Sequence, residues 1–175
     1  MSSESGAAMA QPRELVITRF FDAPRERVFK AWTQPEILKR WCGPRGFTTP
    51  VYTVDLRPGG KQHFCMLSPE GQEIWCVGTY HEIVEPERIV CTDSFSDKDG
   101  NTVDPAKYEM PAEWPREALV TTEFTEEAGR TKLTLHLGVS EELADRVKAR
   151  QGWTESLDRL AECVVETTGA SHGSK

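Results

Sequence analysis

The sequence predicts an α+β fold: one strand, two short helices, six further strands in an antiparallel meander, and a long C-terminal helix. Three observations carry this. The apolar period is helical between residues 24 and 41 and switches to two from residue 51 onward. The links between the later strands are too short for a parallel crossover, which takes about a dozen residues or more. The segment 140–167 carries an apolar stripe at three- and four-residue steps.

Residues 14–21 (ELVITRFF) are rich in β-branched and aromatic side chains and read as the first strand. Asp22, Ala23 and Pro24 turn the chain into a helix whose apolar face is Val28, Phe29 and Trp32. A second short helix starts at Pro35 and buries Ile37, Leu38 and Trp41, and Gly43-Pro44-Arg45-Gly46 ends it. Strands are expected at 51–56, 62–67, 74–84, 88–95, 118–125 and 131–137. In the last of these Leu133, Leu135 and Leu137 point one way and Lys132, Thr134 and His136 the other, so one face is packed and one is wet. Phe64 and Met66 share a face opposite His63 and Cys65, and His63 and His136 are expected toward solvent or a partner. The long link 96–115 starts polar but ends with Tyr108, Met110 and Trp114, groups too bulky for a plain linker. It is expected to fold back over the sheet, either as a packed loop or as a lid over a cavity.

The final segment reads as one continuous helix. Ser140 is the expected N-cap, Glu141 and Glu142 complement the dipole of the first turn, and Gly169 is the expected terminator. Leu143, Val147, Trp153, Leu157, Leu160, Ala161 and Val164 form its apolar face. At roughly 1.5 Å per residue it would span ~40 Å, enough to cross a whole sheet. The stripe has a gap at Arg150, Gln151 and Gly152, where the helix either presents a surface turn or leaves the sheet with Trp153 facing a space.

The chain has 175 residues, 38% of them hydrophobic and 28% charged, which fits one domain, with 13–168 as its extent and 1–12 and 169–175 as disordered tails. A net charge of −7 argues against a nucleic acid partner and an anionic membrane surface. No stretch approaches a membrane-spanning length, and the N-terminal residues lack both a basic and an apolar targeting region. The five cysteines (Cys42, Cys65, Cys76, Cys91, Cys163) show no CxxC and no zinc spacing, so they read as reduced core residues of a cytoplasmic protein with no metal or other cofactor.

Candidate chemistry is sparse. Gly59-Gly60 after a proline is a hairpin turn rather than a phosphate cradle, since a cradle would open a helix. Asp55 and Arg57, two apart on a strand, share a face and read as a structural ion pair or edge-strand solvation, with a small polar site as the alternative. His81 would need a carboxylate partner inside a cavity to act as an acid or base, and none is legible. Glu109, between Tyr108 and Met110, is the best candidate for a polar group facing a ligand, with a surface position as the alternative.

Four stretches carry a resemblance to a known family: FDAPRERVFKAWTQPEILKRWCGPRGF (21–47), DLRPGG (55–60), GTYHEIVEPERIV (78–90), and Gly152-Trp153 followed by Leu157 and Leu160. Their order and spacing resemble the SRPBCC (START-like) superfamily. Within it they resemble the branch similar to the C-terminal domain of the activator of heat-shock protein 90 ATPase. The resemblance implies the helix-grip fold, a curved sheet of about seven strands around the long helix, with a cavity between them capped by the two short helices. This chain departs from the bacterial pattern in one place: where relatives often carry two tryptophans before the Gly-Pro, it has Trp41-Cys42. Loss of an indole there enlarges or reshapes the local space.

The expected lining of that cavity is Trp41, Phe64, Met66, Trp75, Tyr108, Met110, Trp114, Trp153 and Leu157, an aromatic and sulfur-containing set suited to a hydrophobic or amphipathic small molecule. Non-catalytic binding, as a carrier or stress-related sensor, is the first reading. A chaperone-associated interaction module, as the resemblance implies, is the second. A small cyclase- or hydratase-type enzyme is the third, and would need a His or Tyr hydrogen-bonded to a carboxylate in the cavity. The expected state is a monomer or homodimer without membrane insertion. With neither metal nor disulfide holding the fold, chelator and reductant are expected to leave thermal stability unchanged; a large drop with either would remove that reading.

Overall fold

Alternating side chains give each strand one face that must be covered, and the short links force neighbours to pair antiparallel. The computed structural model describes residues 14–173, with side chains through 165. Seven strands form one curved antiparallel sheet: β1 (Glu14–Phe21), β2 (Thr48–Val54), β3 (Lys61–Leu67), β4 (Glu73–Val84), β5 (Arg88–Ser96), β6 (Ala118–Glu127) and β7 (Arg130–Ser140). Their order is β1-β7-β6-β5-β4-β3-β2, a meander whose last strand is joined by the first. Helices α1 (Arg25–Thr33) and α2 (Pro35–Trp41) intervene between β1 and β2. The N-terminal tail expected over 1–12 lies outside the described residues. Among the described residues no helix is long and apolar enough to cross a membrane.

The expected hairpin at Gly59-Gly60 is present. Gly59 has φ of 86°, and a Cβ on Gly60 would stand 2.1 Å from the Asp55 carbonyl oxygen, so neither position takes a side chain easily. Asp55 and Arg57 form an exposed ion pair at 3.0 Å beside this turn. All five cysteines are free thiols.

The C-terminal segment differs from the expectation of one continuous helix. Two helices are present: α3 (Glu141–Arg146), capped by the Ser140 hydroxyl accepting from Leu143 N at 3.1 Å, and α4 (Ala149–Gly173). Between them Lys148 adopts φ of 64°, a left-handed conformation that costs a non-glycine residue roughly 1–2 kcal/mol. Arg150 reaches back across the break, to Asp145 at 2.7 Å and Glu141 at 3.1 Å. The break falls just before the gap read from the sequence, and Gly152 is helical. Gly169 is not a terminator, since α4 continues to Gly173.

Leu157 and Leu160 of α4 are wholly buried, and Val164 nearly so, in one core with Leu15, Phe21, Phe124, Leu133 and Leu135. This second half of α4 is therefore held against the sheet by apolar burial. Leu157→Ala is expected to destabilise the fold by about 2–5 kcal/mol, as large-to-small core changes do. An unchanged denaturation midpoint would show that this face is not core.

Candidate functional site

A cavity of about 270 Å³ lies where α4 parts from the sheet. Its floor follows the period of two: Gln62, Phe64 and Met66 on β3, and Cys91, Asp93 and Phe95 on β5, with Tyr52 from β2 and Cys76 from β4. Trp32 and Trp41 come from α1 and α2, Gly152, Trp153 and Ser156 from α4, and Met110 and Trp114 from the long link. A smaller cavity of about 70 Å³ adjoins it, sharing Cys76, Asp93, Phe95, Trp114, Ala149 and Trp153.

The rim formed by Cys42, Gly43 and Pro44 is fastened to α4 by polar contacts. Arg159 donates to the carbonyls of Gly43 at 2.8 Å, Pro44 at 3.1 Å and Arg40 at 3.2 Å, a cation placed at the carbonyl-rich end of α2. The Ser156 hydroxyl accepts from Gly43 N at 3.1 Å, and Glu155 accepts from Arg45 N at 3.0 Å. Arg45 also pairs with Glu162 at 2.6 Å. One stretch of α4 therefore sets the position of α2 and of the cavity mouth.

The indoles form a stack. Trp32 lies parallel to Trp153 with ring centroids 6.3 Å apart and tilts onto Trp41 at 4.9 Å. Trp41 is fixed by donating from Nε1 to the Ala31 carbonyl at 2.9 Å. On the floor Tyr52 stacks on Phe64 at 4.6 Å. The loop bearing Met110 and Trp114 is braced by Tyr108, whose hydroxyl donates to the Ser96 carbonyl at 2.8 Å and whose ring packs on Phe95.

Among the lining residues Asp93 alone carries a formal charge. Its Oδ1 is sealed from solvent and has no hydrogen-bond partner. Burial raises this carboxyl from its ordinary value to about 7, with the Ser94 backbone N–H opposing only in part. Beside it the Cys42 and Cys91 thiols are pushed up to about 12, first by burial and then by the Asp93 charge. Cys76 and Tyr52 rise well above their usual values, chiefly through burial. All four stay neutral at ordinary pH. Tyr52 and Tyr80 both direct their hydroxyls to Gln62 Oε1, at 2.8 and 3.4 Å, and neither engages Asp93. Gly78 of β4 makes room here: the Thr92 carbonyl oxygen stands 2.0 Å from where a Cβ would be, with the Gln62 amide nitrogen at 3.4 Å.

Of the residues read from the sequence as lining, the structure brings together Trp41, Phe64, Met66, Met110, Trp114 and Trp153. Trp75, Tyr108 and Leu157 lie outside the lining. Trp75 stacks on His63 at 5.0 Å, on the face of β4 opposite Cys76, while Tyr108 braces the loop and Leu157 is core. Glu109 and His81 are exposed. Asp93, Gln62, Cys91, Tyr52 and Trp32 were not read as lining. Asp93 was legible in principle, because it falls between Cys91 and Phe95 on one face of β5.

The family model for the Activator of Hsp90 ATPase homolog 1-like protein matches residues 22–165. No protein of curated function matches the chain. Among solved structures, a protein of Chromobacterium violaceum is 28% identical, with TM-score 0.71, over 88% of this chain and 98% of its own. A protein of Nitrosomonas europaea is 22% identical, with TM-score 0.74, over 90% of this chain and 97% of its own. The AHSA1 protein of Silicibacter pomeroyi is 24% identical, with TM-score 0.68, over 87% of this chain and 99% of its own. The last two likenesses are of fold.

The raised carboxyl makes stability depend on pH in a stated direction. An unfolded aspartate loses its proton near ~4, whereas folded Asp93 keeps it to about 7. The folded state therefore binds more protons between these values, and this group's contribution to stability falls as pH rises through that window. Asp93→Asn is expected to gain on wild type by on the order of 2–4 kcal/mol between about pH 4 and pH 8, read from urea midpoints of both proteins. A difference that stays constant across the window would show that Asp93 ionises normally.

Proposed function

The chain belongs to the Activator of Hsp90 ATPase homolog 1-like family, and from the cavity between its sheet and α4 we propose that it binds a hydrophobic or amphipathic small molecule without transforming it, as a carrier or sensor. The observation that carries this reading is the cavity itself, a space of about 270 Å³ walled mainly by indole, phenyl and sulfur-bearing side chains. Aromatic walls give apolar area with few rotamers to freeze, and methionines adapt to ligand shape. The volume is near the ~300 Å³ lower bound of pockets for drug-sized molecules. A compact ligand of one or two rings, or a short branched chain, suits it.

Two features give the site its selectivity. Met110 and Trp114 bring the long link to the cavity wall, so the link contributes directly to what can enter. Cys42, standing where relatives often carry a second tryptophan, also lines the space, and its small side chain leaves volume that an indole would fill.

Trp153 gives the sharpest test because it lines both cavities and stacks on Trp32. Titration with the neutral probe N-phenylnaphthylamine should quench indole fluorescence in the wild type. Trp153→Ala should weaken probe binding by roughly 1–3 kcal/mol, the scale of one buried apolar contact, and by more than it weakens folding. Were Trp153 plain core, the change would instead cost about 3–5 kcal/mol of stability. That loss together with unaltered probe affinity would sink the cavity reading at this position.

A further inference from the structure

The apolar cavity contains one carboxyl whose Oδ1 is buried and unpartnered, and among the described residues no lysine, arginine or histidine lines the space with it. We propose that the cavity selects an amphipathic cation, a protonated alkyl- or arylalkylamine, whose ammonium group pairs with the Asp93 carboxylate while its apolar body lies among the indoles. This rests on the ligand-binding reading above and names the chemical class of the ligand.

Three observations converge on it. First, a carboxylate oxygen buried without a donor is costly, and Asp93 Oδ1 has no hydrogen-bond partner, the Ser94 backbone N–H offsetting the burial of the group only in part. A ligand ammonium would supply the missing partner and up to three N–H donors. Second, the walls are rich in tryptophan faces, which attract cations more strongly than other aromatic rings; Trp153 and Trp114 line the same small recess as Asp93. Third, the arrangement disfavours the alternative amphiphiles. A fatty-acid carboxylate would meet a second carboxylate and no base. A neutral molecule would leave Asp93 to keep its proton.

The groups facing Asp93 do not compete for this role. Cys42 from the α2–β2 link, Tyr52 from β2, Cys76 from β4 and Cys91 from β5 are all held neutral by burial, and none can act as the counter-ion. Raised to about 7, the Asp93 carboxyl is poised so that a cation entering at neutral pH displaces its proton. Binding is therefore coupled to proton release, and a cationic ligand binds more weakly as the pH falls.

The test compares two probes of equal shape, naphthylethylamine and naphthylethanol, by calorimetry on the full chain. At about pH 8 the amine remains protonated, as lysine does, and Asp93 is ionised, so the amine should bind at least about tenfold more tightly than the alcohol. In Asp93→Asn that ratio should collapse toward one. Should this variant fail to fold, the wild type at about pH 5, where Asp93 holds its proton, supplies the same comparison and the ratio should fall there too. Equal affinities at the higher pH, or an amine preference that survives both Asp93→Asn and the lower pH, overturns the assignment of a cation to Asp93 while leaving apolar ligand binding standing. Tighter binding of the alcohol overturns it as well, and would make protonated Asp93 a hydrogen-bond donor. Binding of neither probe overturns this inference and the reading beneath it together.

Discussion

The burial of Leu157, Leu160 and Val164 against the sheet is the constraint on which the rest of the molecule depends. It fixes the second half of α4 and thereby the guanidinium of Arg159, which in turn holds the end of α2 and the Cys42-Gly43-Pro44 rim. A helix tied down at one half and broken from α3 at Lys148 cannot follow the curved sheet throughout its length. The space left at its first half is the cavity. Its position is thus a consequence of apolar packing some turns away, with the polar clamp converting that packing into a defined mouth.

Asp93 shows the reverse relation, in which a site departs from what packing alone would select. A carboxyl in an apolar wall weakens the fold at neutral pH, and an apolar side chain of similar size would serve the core better. Its neighbours do not relieve the cost: three thiols and a phenol lie close enough to feel its charge, and none is cationic. Gln62 satisfies the two tyrosines rather than the carboxyl. Such local cost with an unused oxygen is the pattern expected where a ligand completes the set.

The fold is shared, and the individual side chains decide what enters the cavity. Curved sheet, capping helices and long C-terminal helix recur in structures only 22–28% identical to this chain. Fold at that level says nothing about the ligand. Cys42 at the rim, Met110 and Trp114 on the long link, and Asp93 on the floor are the side chains that line the cavity here.

What the sequence by itself determined is local. Period-two alternation and short turns specify the seven strands and their antiparallel pairing. Prolines and glycines punctuate α1, α2 and the hairpins, and the heptad-like spacing of Leu157, Leu160 and Val164 specifies the buried half of α4. The same alternation marked Phe64 and Met66 as neighbours, and it contained Asp93, since residues two apart on a strand share a face. Only the tertiary structure decided which face of β4 looks inward, which moved Trp75 out of the lining. It also decided that the C-terminal segment is two helices broken at Lys148 rather than one, and that Asp93 Oδ1 is sealed in the cavity wall. The physical reason is that propensity and period act over a few residues. Burial and desolvation depend on what the distant elements α2, α4 and the long link bring across the sheet, and no local pattern records that.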